Sequence, residues 1–112
     1  AVCHCGSPQE RNGKYLEDWA EKLSKLSKRE NTYCKISGLG MFDKNWNADS
    51  IQPIIRHCLD QFGSKRLMFG SNFPVDSLYS SFSKLYVEIS QLIPEQFHGK
   101  IFSENCRNFY QF

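Results

Sequence analysis

Residues 62–75 read FGSKRLMFGSNFPV, a short apolar run between a glycine and a proline. Gly63 ends the helical pattern before it, and the short apolar run that follows predicts a buried strand over residues 66–71. Asn72 and Pro74 end that strand, because proline has no amide hydrogen to donate to a neighbouring strand.

Side chains in this predicted strand alternate between its two faces. Leu67 and Phe69 share one face, whereas Met68, Gly70 and Asn72 share the other. If Leu67 and Phe69 face covering helices, Asn72 faces away from them, at the carboxyl end of the strand.

Apolar residues at helical spacing predict helices on both sides of this strand. The clearest one covers residues 51–62, with Asp49 as N-cap, Gln52 in the capping-box position and Gly63 just beyond its end. Further helices are predicted over residues 15–27, from Ser81 onward and over residues 103–110.

Two more strands complete the pattern. Residues 1–5, AVCHC, run into Gly6, Ser7 and Pro8, and residues 32–38, TYCKISG, end at a glycine. Strands that alternate with helices form a parallel sheet with right-handed crossovers, so the fold class is α/β. A closed barrel of eight such units needs roughly 250 residues, so this chain would supply about three of them.

Composition argues against several classes of partner. The chain has 14 basic and 12 acidic residues mixed along its length, with no block of like charge to hold nucleic acid. No apolar stretch approaches the roughly 20 residues that span a bilayer, and no signal peptide pattern is seen. We therefore expect neither nucleic acid nor a membrane as partner.

Cysteine usage indicates the compartment. The five cysteines are irregularly spaced, which argues against a disulfide framework or a zinc ribbon and predicts reduced thiols in the cytoplasm. Cys3, His4 and Cys5 would not converge on one metal ion if they lie in a strand, because successive side chains point to opposite faces.

The ends of parallel strands are where functional groups collect. Here they carry His4, Ser37 and Asn72, and His4 would share the inward face with Val2 and Gly6. Each also has a plain structural reading: a buried histidine on a carbonyl, a serine bonded locally, an amide that caps a turn. Arg66, at the start of its strand, is expected to form a structural ion pair.

Three segments resemble one family: HCGSP at residues 4–8, CKISGL at residues 34–39 and the opening stretch at residues 62–75. With the ending NCRNFY at residues 105–110, they are similar to the last three barrel units and terminal helix of amidohydrolase-related hydrolases, including fuconolactonase-like and pyrone-dicarboxylate-lactonase-like enzymes. The resemblance covers essentially the whole chain. It implies a partial (β/α)8 TIM barrel, with residues 1–112 as the C-terminal fragment of a single barrel domain.

The resemblance also implies a chemistry: water attack on a lactone or related small carbonyl substrate. His4 matches a histidine that binds substrate or metal, and Asn72 matches the usual position of the aspartate that activates water. The catalytic residues implied are thus His4 and Asn72. From their positions at and after strand ends, we also expect Ser37 and Asp76 to take part in substrate binding. A divalent metal, zinc or manganese, would bind His4, or the enzyme would use none.

Asn72 departs from the family pattern. A carboxamide is neutral and cannot act as a general base, so His4 and Asp76 are the nearest replacements. Asp76 could equally be a solvated loop residue. Two other functions stay open: a barrel that lost hydrolysis and binds a small molecule, or an independent α/β module that binds a small molecule or partner. Residues 1–112 alone are expected to self-associate and to lack activity.

Overall fold

The computed structural model describes residues 1–112 and has an α/β architecture. The longer elements, in chain order, are α1 (Gly13–Ser27), β1 (Cys34–Ile36), α2 (Ala48–Phe62), β2 (Leu67–Phe69), α3 (Phe82–Leu92) and α4 (Asn105–Tyr110). No helix is both long and apolar enough to cross a membrane.

The sheet is parallel, as predicted. β1 and β2 pair with Cys34 opposite Leu67 and Ile36 opposite Phe69. Val2 adds a single parallel bridge to Cys34 on the other side of β1. Three neighbouring chain segments therefore run side by side in the same direction.

The predicted first strand over residues 1–5 is wrong beyond Val2. His4 and Cys5 have φ of 54° and 53°, and a short 3-10 turn, Cys3–Gly6, replaces the strand. A β carbon on Gly6 would meet Val2 as well as Trp19 and Leu23 of α1, so Gly6 and Val2 do lie together. The strand alternation that predicted His4 beside them does not apply, because residues 3–6 form a turn and not a strand.

Helix positions follow the predicted periodicity, but one cap differs. The apolar face of α2 is buried as expected, and Gly63 is its C-cap. Asn47, not Asp49, is the N-cap: its side chain accepts from the Ser50 amide, and Ser50 completes the capping box in place of Gln52. Ser81 caps α3 in the same manner, accepting from the amide of Lys84.

The two faces of β2 have different surroundings, as its alternation predicts. Leu67 is fully buried in the hydrophobic core, and Phe69 packs against Phe102. On the opposite face, a β carbon on Gly70 would lie 3.1 Å from Lys35 Cδ and 3.3 Å from Ser37 Cβ. That second face therefore leads directly to the strand ends.

The C-terminal helix begins earlier than predicted, with a π-helical turn, Lys100–Glu104, that runs into α4. Asn105 then donates to the carbonyls of Ser64 and Leu67 at 2.7 and 2.8 Å, which ties α4 to β2. The predicted ion pair of Arg66 is wrong. Its guanidinium instead donates to two backbone carbonyls, those of Arg29 and Thr32, and so ties the start of β2 to the loop before β1.

Candidate functional site

The end of β1 carries a histidine and serine pair. Ser37 follows the last residue of β1, and its Oγ lies 2.8 Å from Nδ1 of His4. Ser37 is buried, whereas His4 is half-buried. The left-handed turn at His4 brings the ring onto Ser37, so two residues 33 positions apart in sequence share one hydrogen bond.

Gly38 makes this contact possible. A β carbon at residue 38 would lie 2.5 Å from Nδ1 of His4, well inside van der Waals distance. Gly38 also has φ of 62°, a left-handed conformation that glycine adopts without strain. Both conditions select glycine here.

The end of β2 carries an amide and carboxylate pair. Asn72 has φ of 57°, and its Nδ2 donates to Oδ1 of Asp76 at 2.8 Å. The same Nδ2 lies 3.2 Å from Sδ of Met41. Asp76 is only 1% exposed, so this carboxylate is a buried group and not a solvated loop residue. Because a carboxylate accepts and cannot donate, the amide orientation of Asn72 is fixed with Nδ2 towards Asp76.

Both pairs follow neighbouring parallel strands at the same edge of the sheet. The Gly70 amide donates to the Ile36 carbonyl at 2.9 Å, which continues the register to the strand ends. No hydrogen bond joins the His4 pair to the Asn72 pair. The largest surface depression, about 570 Å³, lies elsewhere, at the end of α3 beside His98. The sequence-predicted residues thus lie in two pairs on one edge.

Comparison with known protein families identifies the family of the chain. The amidohydrolase family model matches residues 1–112, the whole chain. The chain belongs to the amidohydrolase family.

Relatives of this amidohydrolase chain are longer. An uncharacterized protein of Sinorhizobium fredii is 35% identical over 102 residues, which cover 87% of this chain and 34% of the relative. An L-fucono-1,5-lactonase of Burkholderia ambifaria is 28% identical, over 98% of this chain and 40% of the relative. The amidohydrolase chain therefore spans about a third to two fifths of the length of these curated relatives.

Solved structures show the same fold. An amidohydrolase from Burkholderia multivorans with bound zinc superposes with a TM-score of 0.89, over 98% of this chain and 43% of its own. Its sequence identity to this amidohydrolase chain is 24%. The α/β architecture described above is thus that of amidohydrolase TIM barrels.

Arg11 lies close to Leu39, just beyond the carboxyl end of β1, and was not predicted as a site residue. It donates to the carbonyls of Pro8 and Leu39, but its buried Nη1 has no hydrogen-bond partner. Burial lowers the pKa of Arg11, while the charges of Asp43 and Cys5 oppose that shift. A lone arginine between predicted elements gave no periodic signal by which to identify it.

A second group that sequence spacing missed is a cluster of three buried thiols in this amidohydrolase core. The sulfur atoms of Cys5, Cys34 and Cys58 all lie within 4.8 Å of one another, and all three residues are fully buried. All five cysteines of the chain are free thiols. The sequence did indicate that two of these cysteines are buried, because Cys58 lies on the apolar face of α2 and Cys34 lies two positions before the core residue Ile36 in β1.

The three thiols ionise unequally. Hydrogen bonds from the Cys34 and Cys58 thiols lower the pKa of Cys5 well below its ordinary value, although burial opposes the shift. The bond to Cys5 raises the pKa of Cys34, and bonds to Cys34 and Cys5, together with burial, raise that of Cys58. The three thiols therefore titrate as one coupled group, in which a thiolate is stabilised by hydrogen bonds from its two neighbours.

The other two histidines serve the amidohydrolase scaffold. Nε2 of His57 lies 3.0 Å from the Ala20 carbonyl, which links α2 to α1. Nε2 of His98 lies 2.9 and 2.8 Å from the carbonyls of Ser90 and Ile93, where α3 ends. Each nitrogen is thus occupied by backbone, whereas Nε2 of His4 has no hydrogen-bond partner.

Proposed function

We propose that the protein is a hydrolase that directs water onto a lactone or a related carbonyl compound, and that residues 1–112 form the C-terminal part of its barrel. The observation that carries this proposal is the pairing of His4 with Ser37 at the carboxyl end of a parallel strand, in a chain of the amidohydrolase family. The relative named as an L-fucono-1,5-lactonase supports a sugar lactone as the substrate class.

His4 acts through its free ring nitrogen. When the Ser37 hydroxyl accepts from Nδ1, the tautomer is fixed and Nε2 presents a lone pair to the strand edge. Nε2 can then take a proton from water or bind a cation. Ser37 is a positioning residue in this scheme, because its buried hydroxyl is engaged by His4.

A divalent metal fits this edge only in part. Catalytic zinc needs about three protein ligands, and this chain offers Nε2 of His4 and the amide oxygen of Asn72. When bound, such an ion would polarise the carbonyl group and make water more acidic. The remaining ligands would come from other strands of the proposed barrel.

Asn72 orients the substrate, and Asp76 positions Asn72. Because Nδ2 of Asn72 is bound to Asp76, the carbonyl oxygen Oδ1 remains to accept a hydrogen bond from substrate or water. Asn72 itself cannot remove a proton, so the basic group at this edge is His4, with Asp76 buried behind Asn72.

A second function has one observation in its favour. The neutral amide at residue 72 would leave a barrel able to bind a small molecule but unable to hydrolyse it. The two functions differ in turnover of substrate, which is directly measurable.

The test is lactone hydrolysis by the complete protein. Initial rates would be measured on a panel that includes L-fucono-1,5-lactone, after chelation and again after addition of zinc or manganese. His4→Ala should lower turnover by roughly 100-fold or more, the scale for loss of an acid–base group. The matched control is Cys3→Ala, an exposed neighbour that should keep the parent rate.

Hydrolysis by the parent that survives unchanged in His4→Ala would remove His4 from the site. Tight binding of a lactone without turnover at any metal concentration would support the binding function instead.

A further inference from the structure

The buried cysteine cluster lies outside the proposed hydrolase site and is built on three separate elements. Cys5 comes from the left-handed turn, Cys34 is the first residue of β1, and Cys58 belongs to α2. All three side chains have 0% exposure. Residues 5, 34 and 58 are therefore held near one another by the tertiary fold and not by local sequence.

The spacing of the sulfurs is close to that of a three-coordinate metal site. With metal–sulfur bonds of about 2.3 Å, three sulfurs around a central ion stand about 4 Å apart. The three sulfurs here all lie within 4.8 Å of one another. A contraction of less than about 1 Å per pair would close the triangle, which side-chain rotation can supply.

We propose that Cys5, Cys34 and Cys58 bind one soft, thiophilic cation, with Cu(I) as the biological ion that fits best. Thiolate sulfurs favour soft cations such as Cu(I) over magnesium, calcium or manganese. Structural zinc almost always takes four ligands, and the cluster supplies three. The Cys5 thiol also lies 3.7 Å from the carbonyl oxygen of Lys35, but a carbonyl oxygen is a hard ligand that suits Cu(I) poorly.

The charge balance is favourable beside Arg11. Cu(I) displaces the protons of two thiols to solvent and takes the third sulfur as a neutral thiol, so no electron is transferred. The occupied cluster then carries one negative charge. The charge of Arg11 interacts with those of Asp43 and Cys5, and its buried Nη1 has no hydrogen-bond partner. Its guanidinium would therefore offset part of the charge of the occupied site.

Binding would link the turn that carries His4 to the core. Cys5 is the residue directly after His4, and its sulfur would be joined to β1 and α2 through the ion. The occupied cluster should therefore stabilise the turn independently of whether the protein hydrolyses lactones.

The chain provides its own controls, because Cys3 and Cys106 lie outside the cluster. The complete protein and its variants would be refolded under anaerobic, reducing conditions with Cu(I), in competition with a chromophoric Cu(I) chelator. Bound copper would be compared among the parent, Cys5→Ala, Cys34→Ala, Cys58→Ala and the double control Cys3→Ala/Cys106→Ala. The difference between parent and variant cancels any copper bound elsewhere.

We expect the parent and the double control to bind one more Cu(I) than each cluster variant. The affinity of each cluster variant should fall by about 100-fold or more, since loss of an outer partner alone typically costs 10–100-fold. X-ray absorption on the parent at one equivalent should show three sulfur neighbours, a result that needs no variant to fold. Equal copper in all proteins, loss of copper in the double control, or only two sulfur neighbours would each overturn the proposal.

Discussion

At the scale of single residues, the proposed site depends on the partner residue that hydrogen-bonds each functional side chain and holds it in place. His4 is held by Ser37, and Asn72 is held by Asp76. The sequence predicted all four as site residues because they lie at or just beyond strand ends. It could not predict the pairing of His4 with Ser37, because these residues are 33 positions apart and meet only in the folded chain.

A substitution at Gly38 tests the contact between His4 and Ser37. Gly38→Ala should cost about 1–3 kcal/mol of stability through its positive φ and should also displace His4, which its new methyl group would touch. A displacement of about 1 Å can lower catalysis by about 100-fold. Gly63→Ala is the matched control, because Gly63 also has positive φ but no atom within 4 Å of a β carbon.

Both variants would be compared by denaturant unfolding and by lactone hydrolysis. Both should lose stability, and only Gly38→Ala should lose activity beyond its unfolded fraction. If the two variants hydrolyse lactones at the parent rate, the contact between His4 and Ser37 has no catalytic role.

A substitution at Asn72 tests the pair that it forms with Asp76. Asn72→Asp would set two carboxylates 2.8 Å apart, judged from the present distance to Asp76, so the pKa of one carboxyl group rises in the folded state. We expect a loss of about 1–3 kcal/mol at pH 7. The loss should vanish as pH falls below about 4, the unfolded pKa, where both carboxyls are protonated in both states. Urea unfolding from pH 3 to pH 8 measures this profile.

The exchange Asn72→Asp/Asp76→Asn is the control, because it preserves one amide and one carboxylate. It should recover stability at pH 7 but hydrolyse lactones more slowly than the parent, since a charge now replaces the amide that orients substrate. Faster metal-supported hydrolysis by the exchange would indicate a barrel disabled at residue 72.

At the scale of secondary structure, helices were predictable and the first strand was not. The buried positions of α2 repeat at helical spacing in a single stretch, so local sequence contains the information. The turn at His4 and Cys5 depends on distant contacts, such as the bond from Trp19 Nε1 to the Cys5 carbonyl. An apolar run such as AVCHC does not reveal a left-handed turn stabilised by such contacts.

The N-terminus of α2 gives a test at this scale. Asn47→Ala should destabilise the protein by about 1 kcal/mol, because the Ser50 amide loses its acceptor. Asp49→Ala should cost less than about 0.5 kcal/mol, since Asp49 lies in the first turn and not at the cap. Equal losses in chemical unfolding would contradict the observed cap.

At the scale of the whole molecule, apolar surface remains uncovered. Val75, Leu78, Phe82 and Tyr86 are 46%, 77%, 50% and 41% exposed, and lie on or beside α3. Val2 and Met68 are half-buried and fully buried, so they add little to this uncovered surface. Any tendency of residues 1–112 to associate should therefore arise from the α3 surface and the free edge of β2.

The isolated chain tests that expectation. By sedimentation velocity, residues 1–112 should form dimers or larger species, and Phe82→Lys should shift them towards monomer. A monomer at all concentrations, with a sharp cooperative melt, would instead show that the chain is self-sufficient.

The proposed hydrolase site is tested most directly by a crystal structure of the complete protein with the hydroxy acid produced from a sugar lactone. We expect a closed barrel in which the product lies at the carboxyl ends of β1 and β2, within hydrogen-bond distance of His4 Nε2 and Asn72 Oδ1. A product bound elsewhere, with His4 and Asn72 turned away from it, would contradict the assignment.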